Sequence, residues 1–165
     1  MTDQIVVGDR VLLETGFGAA RARLEILACD EVLRQAAEAA YGTGITHLVA
    51  AAGPAAGLTR LAGAHLDQVT GTESCAHCSL SWVAIAADGR LFTALEADLM
   101  LVPAGDRHTA LALAGGYRPQ PGPAGAGLDE AILRHCATVA IRSFVAQVAG
   151  ALTHRAGTAG PAIVP

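Results

Sequence analysis

Hydrophobic and polar positions change their period twice along this chain. "QIVVGDRVLLET" (4–15) is apolar and β-branched around a Gly-Asp interruption and reads as a first strand. "FGAARARLEILAC" (17–29) then spaces Ala20, Leu24, Leu27 and Ala28 along one face of a helix. Asp30 suits an N-cap, and Val32, Leu33, Ala36, Ala37, Ala40 and Tyr41 form the stripe of a second short helix. Gly42 and Gly44 are its stop signals. Beyond them the period drops to two, or to short apolar runs. "ITHLVAAA" (45–52), "LTRLAGAHLDQVT" (58–70), "CSLSWVAIA" (78–86), "LFTALEADLMLV" (91–102) and "HTALALAGGY" (108–117) read as strands. The separators "GPAAG", "GTE", "ADGR" and "PAGDR" are of hairpin type, and connections this short imply an antiparallel meander.

From Leu128 to Leu152 the period is helical again. Leu128, Ile132, Leu133, Cys136, Val139, Ala140 and Phe144 share a broad apolar face, with Arg134, Thr138 and Arg142 opposite. Such a helix is about 37 Å long, enough to cross a sheet. An antiparallel sheet needs one face covered, and this helix is the element long enough to cover it. The predicted fold is therefore α+β: a curved antiparallel sheet around a long C-terminal helix, with two short helices after the first strand. "GGYRPQPGPAGAGLD" (115–129) joins the last strand to that helix. Pro119, Pro121 and Pro123 restrict it, and Gly116, Gly122, Gly125 and Gly127 permit a tight path, which predicts an ordered connection. No second domain is left for it to link. The expected division is one domain over 1–152 and a flexible tail over 153–165.

Composition narrows the function classes. The chain of 165 residues is 52% hydrophobic and 16% charged, which excludes wholesale disorder. Its core is rich in alanine and poor in aromatics (4%), so few large side chains fill the interior and a cavity is permitted. A net charge of −4 with interspersed signs offers no basic stripe for nucleic acid. "MTDQIVVGD" lacks the pattern of a signal peptide, and no run approaches the roughly 18 apolar residues of a membrane span. Four cysteines without an export signal read as reduced thiols. The expectation is a soluble, cytoplasmic protein with no nucleic-acid partner and no membrane span.

Candidate chemistry is sparse. "CAHC" (75–78) runs straight into a strand, whereas a redox Cys-x-x-Cys opens a helix. His65 and His77 could join it as zinc ligands, but there is no second cysteine pair, and two incidental thiols is the default reading. The six histidines form no HExxH, HxH or triad-like arrangement; His135 lies close to the apolar edge of the last helix, within reach of a pocket mouth. "GAGLDEA" lacks both the strand–GxGxxG–helix pattern and a Walker lysine, so no dinucleotide, and no cofactor of any kind, is expected. Tyr117 and Arg118 end the last strand. A phenol and a guanidinium there could bond a polar head group or an enolate. The blander alternative makes Tyr117 a buried anchor and Arg118 a surface ion-pair partner. Arg118 favours that alternative, and Tyr117 stays open.

A succession of segments carries a family resemblance: "AYGTG" (40–44), "AAGPAAGLTRL" (51–61), "SWVAI" (81–85), "LFTALEADLML" (91–101), "LALAGGYRPQPGPAGAGLD" (111–129) and "HCATVAIRSFVAQVAGAL" (135–152). In that order they resemble the helix-grip fold of the START and Bet v1-like superfamily (SRPBCC), in particular its actinobacterial members. The superfamily includes polyketide cyclases, aromatases and lipid-transfer domains. The resemblance spans the chain to about residue 152 and brings no shared catalytic motif. What it implies is a deep apolar pocket between the long helix and the concave sheet face, with Tyr117 and Arg118 at its mouth.

Alternation nominates the lining. On 91–102 one face holds Leu91, Thr93, Leu95, Ala97, Leu99 and Leu101, and the other holds Glu96 and Asp98, which are costly to bury. The leucine face is therefore the inner one. Leu111 and Leu113 point inward on the next strand, and Leu80, Trp82 and Ala84 are chosen over Ser79, Ser81 and Val83. The candidate binding set is Leu80, Trp82, Leu95, Leu99, Leu111, Leu113, Tyr117, Ile132, Cys136 and Val139, any of which singly is also an ordinary core position. The leading expectation is a binder of a small hydrophobic molecule, such as a lipid or polyketide. The alternative is a cyclase- or aromatase-like enzyme using the same cavity, and the third option is a domain whose pocket is packed shut.

Overall fold

A computed structural model describes residues 5–29, 31–53, 59–86, 88–118 and 130–153. In chain order the elements are β1 (Ile5–Leu13), α1 (Phe17–Leu27), α2 (Glu31–Ala52), β2 (Arg60–Leu66), β3 (Thr70–Thr72), β4 (Cys75–Ile85), β5 (Leu91–Pro103), β6 (Thr109–Tyr117) and α3 (Glu130–Thr153). The strands form one curved antiparallel sheet in the order β1-β6-β5-β4-β2, with β3 adding to β4. Two helices follow the first strand, and the long C-terminal helix packs over the sheet. This is the α+β helix-grip architecture expected from the sequence.

Alternation builds the inner face as anticipated along most of its length. Ala76, Cys78, Leu80, Trp82 and Ala84 are buried on β4, and Leu95, Ala97, Leu99 and Leu101 on β5. Leu111, Leu113 and Tyr117 do the same on β6. Register shifts fall between Trp82 and Val83 on β4, opposite Leu95 and Thr93, and between Leu61 and Gly63 on β2. Bulges of this kind bend a strand and sharpen its twist. The first one also reverses the phase of β5. Ala94 and Leu95 are both buried, while Leu91 is 66% exposed and Thr93 is exposed. The unbroken leucine face expected from Leu91 to Leu101 is thus cut at the extra residue, whose carbonyl accepts from the Arg118 backbone N–H at 2.7 Å.

The second helix is the main departure. It runs 22 residues, through Gly42 and Gly44, and takes in the stretch 45–52 that reads locally as a strand. Tyr41, Gly44 and Leu48 are buried at helical spacing, a period that an eight-residue apolar run conceals. Gly44 is a contact residue. A Cβ there would sit 2.9 Å from the Ala140 Cβ and 3.2 Å from the Cys136 carbonyl oxygen on α3. Its missing side chain lets two helix backbones approach, and that packing outweighs the cost of glycine within a helix. Val32, placed on the buried stripe by periodicity, is exposed. The strand expected over 58–70 is split into β2 and β3, with the Asp67 N–H donating to the Ser79 carbonyl at 2.9 Å beside the break.

α3 buries Leu133, Cys136, Ala137, Ala140, Ile141, Phe144, Val145, Val148 and Leu152. By length and composition this helix is apolar enough to cross a membrane, with a mean hydropathy of 1.4, but half of its apolar window is buried inside the fold. It is a core helix. Arg23 on α1 closes its end, its Nη1 donating to the Leu152 carbonyl at 2.6 Å, which satisfies an acceptor that a helix C-terminus leaves open. The expected Asp30 cap, the turns at 54–58 and 87, the connection 119–129 with Leu128, and the tail from 154 lie outside the described residues.

Candidate ligand-binding interior

The sheet register brings distant residues into one row across the inner face: Ala64, Trp82, Leu95, Tyr117 and Ile5. Trp82 and Tyr117 stand on the same side of the sheet, about 9–10 Å apart through β5 at the usual strand spacing. Their rings lean together, with centroids 6.1 Å apart and planes at 87°. Tyr41 from α2 meets both, at 6.3 Å from each, and Phe144 from α3 meets Trp82 at 5.2 Å. Edge-to-face contacts at these distances are the favoured geometry of aromatic pairs. Both tyrosines, the sole tryptophan and one of three phenylalanines of the chain therefore converge between sheet and helices.

Their polar tips differ in one respect. The Tyr41 hydroxyl bonds Thr59 Oγ1 at 3.1 Å. Trp82 Nε1 and Tyr117 Oη are buried with no hydrogen-bond partner among the described residues. The Tyr117 oxygen lies beside Gly44, where a Cβ would sit 3.5 Å from it and 2.9 Å from the Ala140 Cβ. Burial, reinforced by Tyr41 and Cys136, pushes the Tyr117 phenol well above its ordinary pKa, and burial pushes Tyr41 up to about 12 despite its bond to Thr59. Both phenols are neutral donors at physiological pH. Among the described residues the other buried polar side chains are Thr15, Thr59 and Thr109, and none is charged. Thr109 is committed to structure, its Oγ1 donating to the Thr15 carbonyl at 2.7 Å.

Of the residues nominated from sequence, Leu80, Trp82, Leu95, Leu99, Leu111, Leu113 and Tyr117 lie on the inner face at 0–2% exposure, and Cys136 faces them from α3 at 1%. Ile132 is half-buried against the core; Val139 is half-buried outside it. Tyr117 belongs to the interior and not to a mouth. At such exposures the side chains fill the inner face themselves. Tyr41, Gly44, Thr59 and Phe144 complete the surroundings and were not nominated. For Tyr41 and Phe144 the sequence signal was the scarcity of aromatics, which makes each one a marker of the interior; Gly44 and Thr59 carry no such signal.

The remaining candidates separate from this interior. Cys75 and Cys78 are three residues apart on β4 and point to opposite faces, so they do not act as a pair. Cys78 is buried and its thiol is pushed up to about 12 by burial and then by Asp67 and Asp98. His135 is exposed and meets His47 of α2 at 5.4 Å on the outside of the helix pair. A groove of about 350 Å³ lies on the sheet beside Asp67, Glu96 and Asp98, where His65 Nε2 meets Asp67 Oδ1 at 2.8 Å.

No family model and no curated protein matches the chain. Among solved structures it is similar to the Zhui aromatase/cyclase from Streptomyces sp. R1128, at 10% identity over 95% of this chain and 98% of that one, with a TM-score of 0.45. It is also similar to a conserved protein from Geobacillus kaustophilus, at 14% identity over 90% and 95%, with a TM-score of 0.48. A START superfamily protein from Mycobacterium smegmatis is similar at 12% identity over 89% and 96%, with a TM-score of 0.40. At this identity and overlap the likeness carries no residue role across.

Proposed function

We propose that the protein binds a small hydrophobic molecule between the inner face of the sheet and α3, as a cytoplasmic binding protein. The observation that supports this best is the pair of buried, unpartnered donors, Trp82 Nε1 and Tyr117 Oη, within an otherwise apolar interior. Native proteins pair nearly all such groups, and each one left unpaired costs about 1–3 kcal/mol. A bound molecule that supplies an acceptor offsets that cost while it buries its apolar part against Leu80, Leu95, Leu99 and Phe144. Native mass spectrometry of protein gently purified from its own host is expected to show a co-purifying small molecule. Bare protein, with a melting temperature unmoved by apolar ligands, would overturn the proposal.

A second reading is a cyclase- or aromatase-like enzyme. It is favoured by the same two donors, which are placed to stabilise an enolate if a substrate carbonyl sits between them. Enolisation also needs a base. Among the described residues no carboxylate or imidazole is buried, so binding stands first.

A further inference from the structure

Resting on that reading, we infer that the ligand is electrically neutral and presents a carbonyl oxygen to Trp82 Nε1 and Tyr117 Oη. Three features of the interior point to this chemistry. An indole N–H only donates, and the phenol has its proton to give, and among the described residues neither hydrogen has an acceptor within hydrogen-bond reach. A carbonyl oxygen has two lone pairs and no hydrogen of its own, and it satisfies both donors together.

A hydroxyl head group would bring a third hydrogen. If it accepts from Trp82 and donates to the Tyr117 oxygen, the phenol hydrogen is left over; if it accepts from both, its own is left over. A carboxylate has acceptors enough but carries a charge. Among the described residues no charged side chain is buried, and an anion without a counter-charge is expelled from such surroundings. The register places Trp82 and Tyr117 in one row with ring centroids 6.1 Å apart, and a head group seated between the two rings serves both donors.

The test uses the full chain and four probes of equal carbon count: undecane, its methyl ketone, its secondary alcohol and undecanoate. Trp82 is the only tryptophan, so its emission reports on this location alone. The ketone is expected to bind about tenfold or more tighter than the other three and to shift Trp82 emission. In Tyr117→Phe, and in Trp82→Phe followed by calorimetry, the ratio of ketone to undecane affinity is expected to fall roughly five- to tenfold, the loss of one hydrogen bond in each case. Equal affinity for all four probes, or preference for the alcohol or the carboxylate, would overturn the carbonyl assignment and leave hydrophobic binding intact. A ketone preference that survives both substitutions would do the same. No binding of any probe would overturn both.

Discussion

Trp82 and Tyr117 hold the two polar hydrogens that the described interior does not satisfy, whereas the Tyr41 hydroxyl has Thr59. The contrast gives opposite expectations for one chemical change. Tyr117→Phe removes an unpaired buried hydroxyl and is expected to stabilise the protein by about 1 kcal/mol. Tyr41→Phe leaves the buried Thr59 without that partner and is expected to destabilise by about the same amount. Urea unfolding of both variants checks this; a loss of stability in Tyr117→Phe would mean that its hydroxyl is paired in solution. At this scale the sequence is readable in part. Trp82 and the inner leucines follow from alternation, because inward-facing positions on a half-buried strand repeat every second residue. Val139 and Leu91 do not, since the first depends on how α3 is rotated and the second on a bulge three residues away.

At the scale of elements, α2 shows how a neighbour overrides local signals. Gly42 and Gly44 look alike in sequence, yet a Cβ at Gly42 meets nothing within 4 Å and one at Gly44 strikes Ala140. Gly42→Ala is expected to stabilise the helix by about 0.5–1 kcal/mol through propensity alone. Gly44→Ala gains the same propensity but must push α2 off α3, and it is expected to be net destabilising. Thermal unfolding of the two variants is the measurement, and equal gains would show that the helices do not touch there. The same neighbour explains why 45–52 is helix. A short apolar run satisfies either structure, and Leu48 finds its burial only because α2 continues. Gly115 has an equally specific reason to be glycine, since a Cβ would run into the Glu96 carbonyl and Ala97 across the β5–β6 pair.

For the whole molecule, burial of the phenols and of Cys78 makes stability sensitive to alkali. Below their ordinary pKa values of 9.0 for Cys78 and 10.0 for Tyr41, these groups are protonated in both the folded and the unfolded chain and add no pH dependence. As pH rises past those values, the unfolded chain loses protons while the fold holds them until about 12. Tyr117 is displaced in the same direction. The contribution of these groups is therefore fully present below about pH 9 and is lost as pH rises toward 12. Tyr41 and Tyr117 are the only tyrosines, so tyrosinate absorbance is expected to rise together with the loss of helical circular dichroism. A smooth tyrosinate titration near pH 10 with the helix signal unchanged would show that the phenols reach solvent in the native protein.

Local pattern was enough to set the antiparallel character of the sheet, the stripe of the last helix and the α+β class, because each rests on short connections or on periods of two or three to four residues. It was also enough to choose the inner face of β4, since burying Trp82 removes more apolar area from water than burying Ser79 or Ser81. Tertiary structure alone decided where α2 ends, where β5 changes phase, and that residues 41, 82, 117 and 144 meet. Those outcomes depend on register between strands and on the approach of two helices. The two unpartnered donors belong to that second kind: their isolation is a property of everything packed around them, and no stretch of sequence contains it.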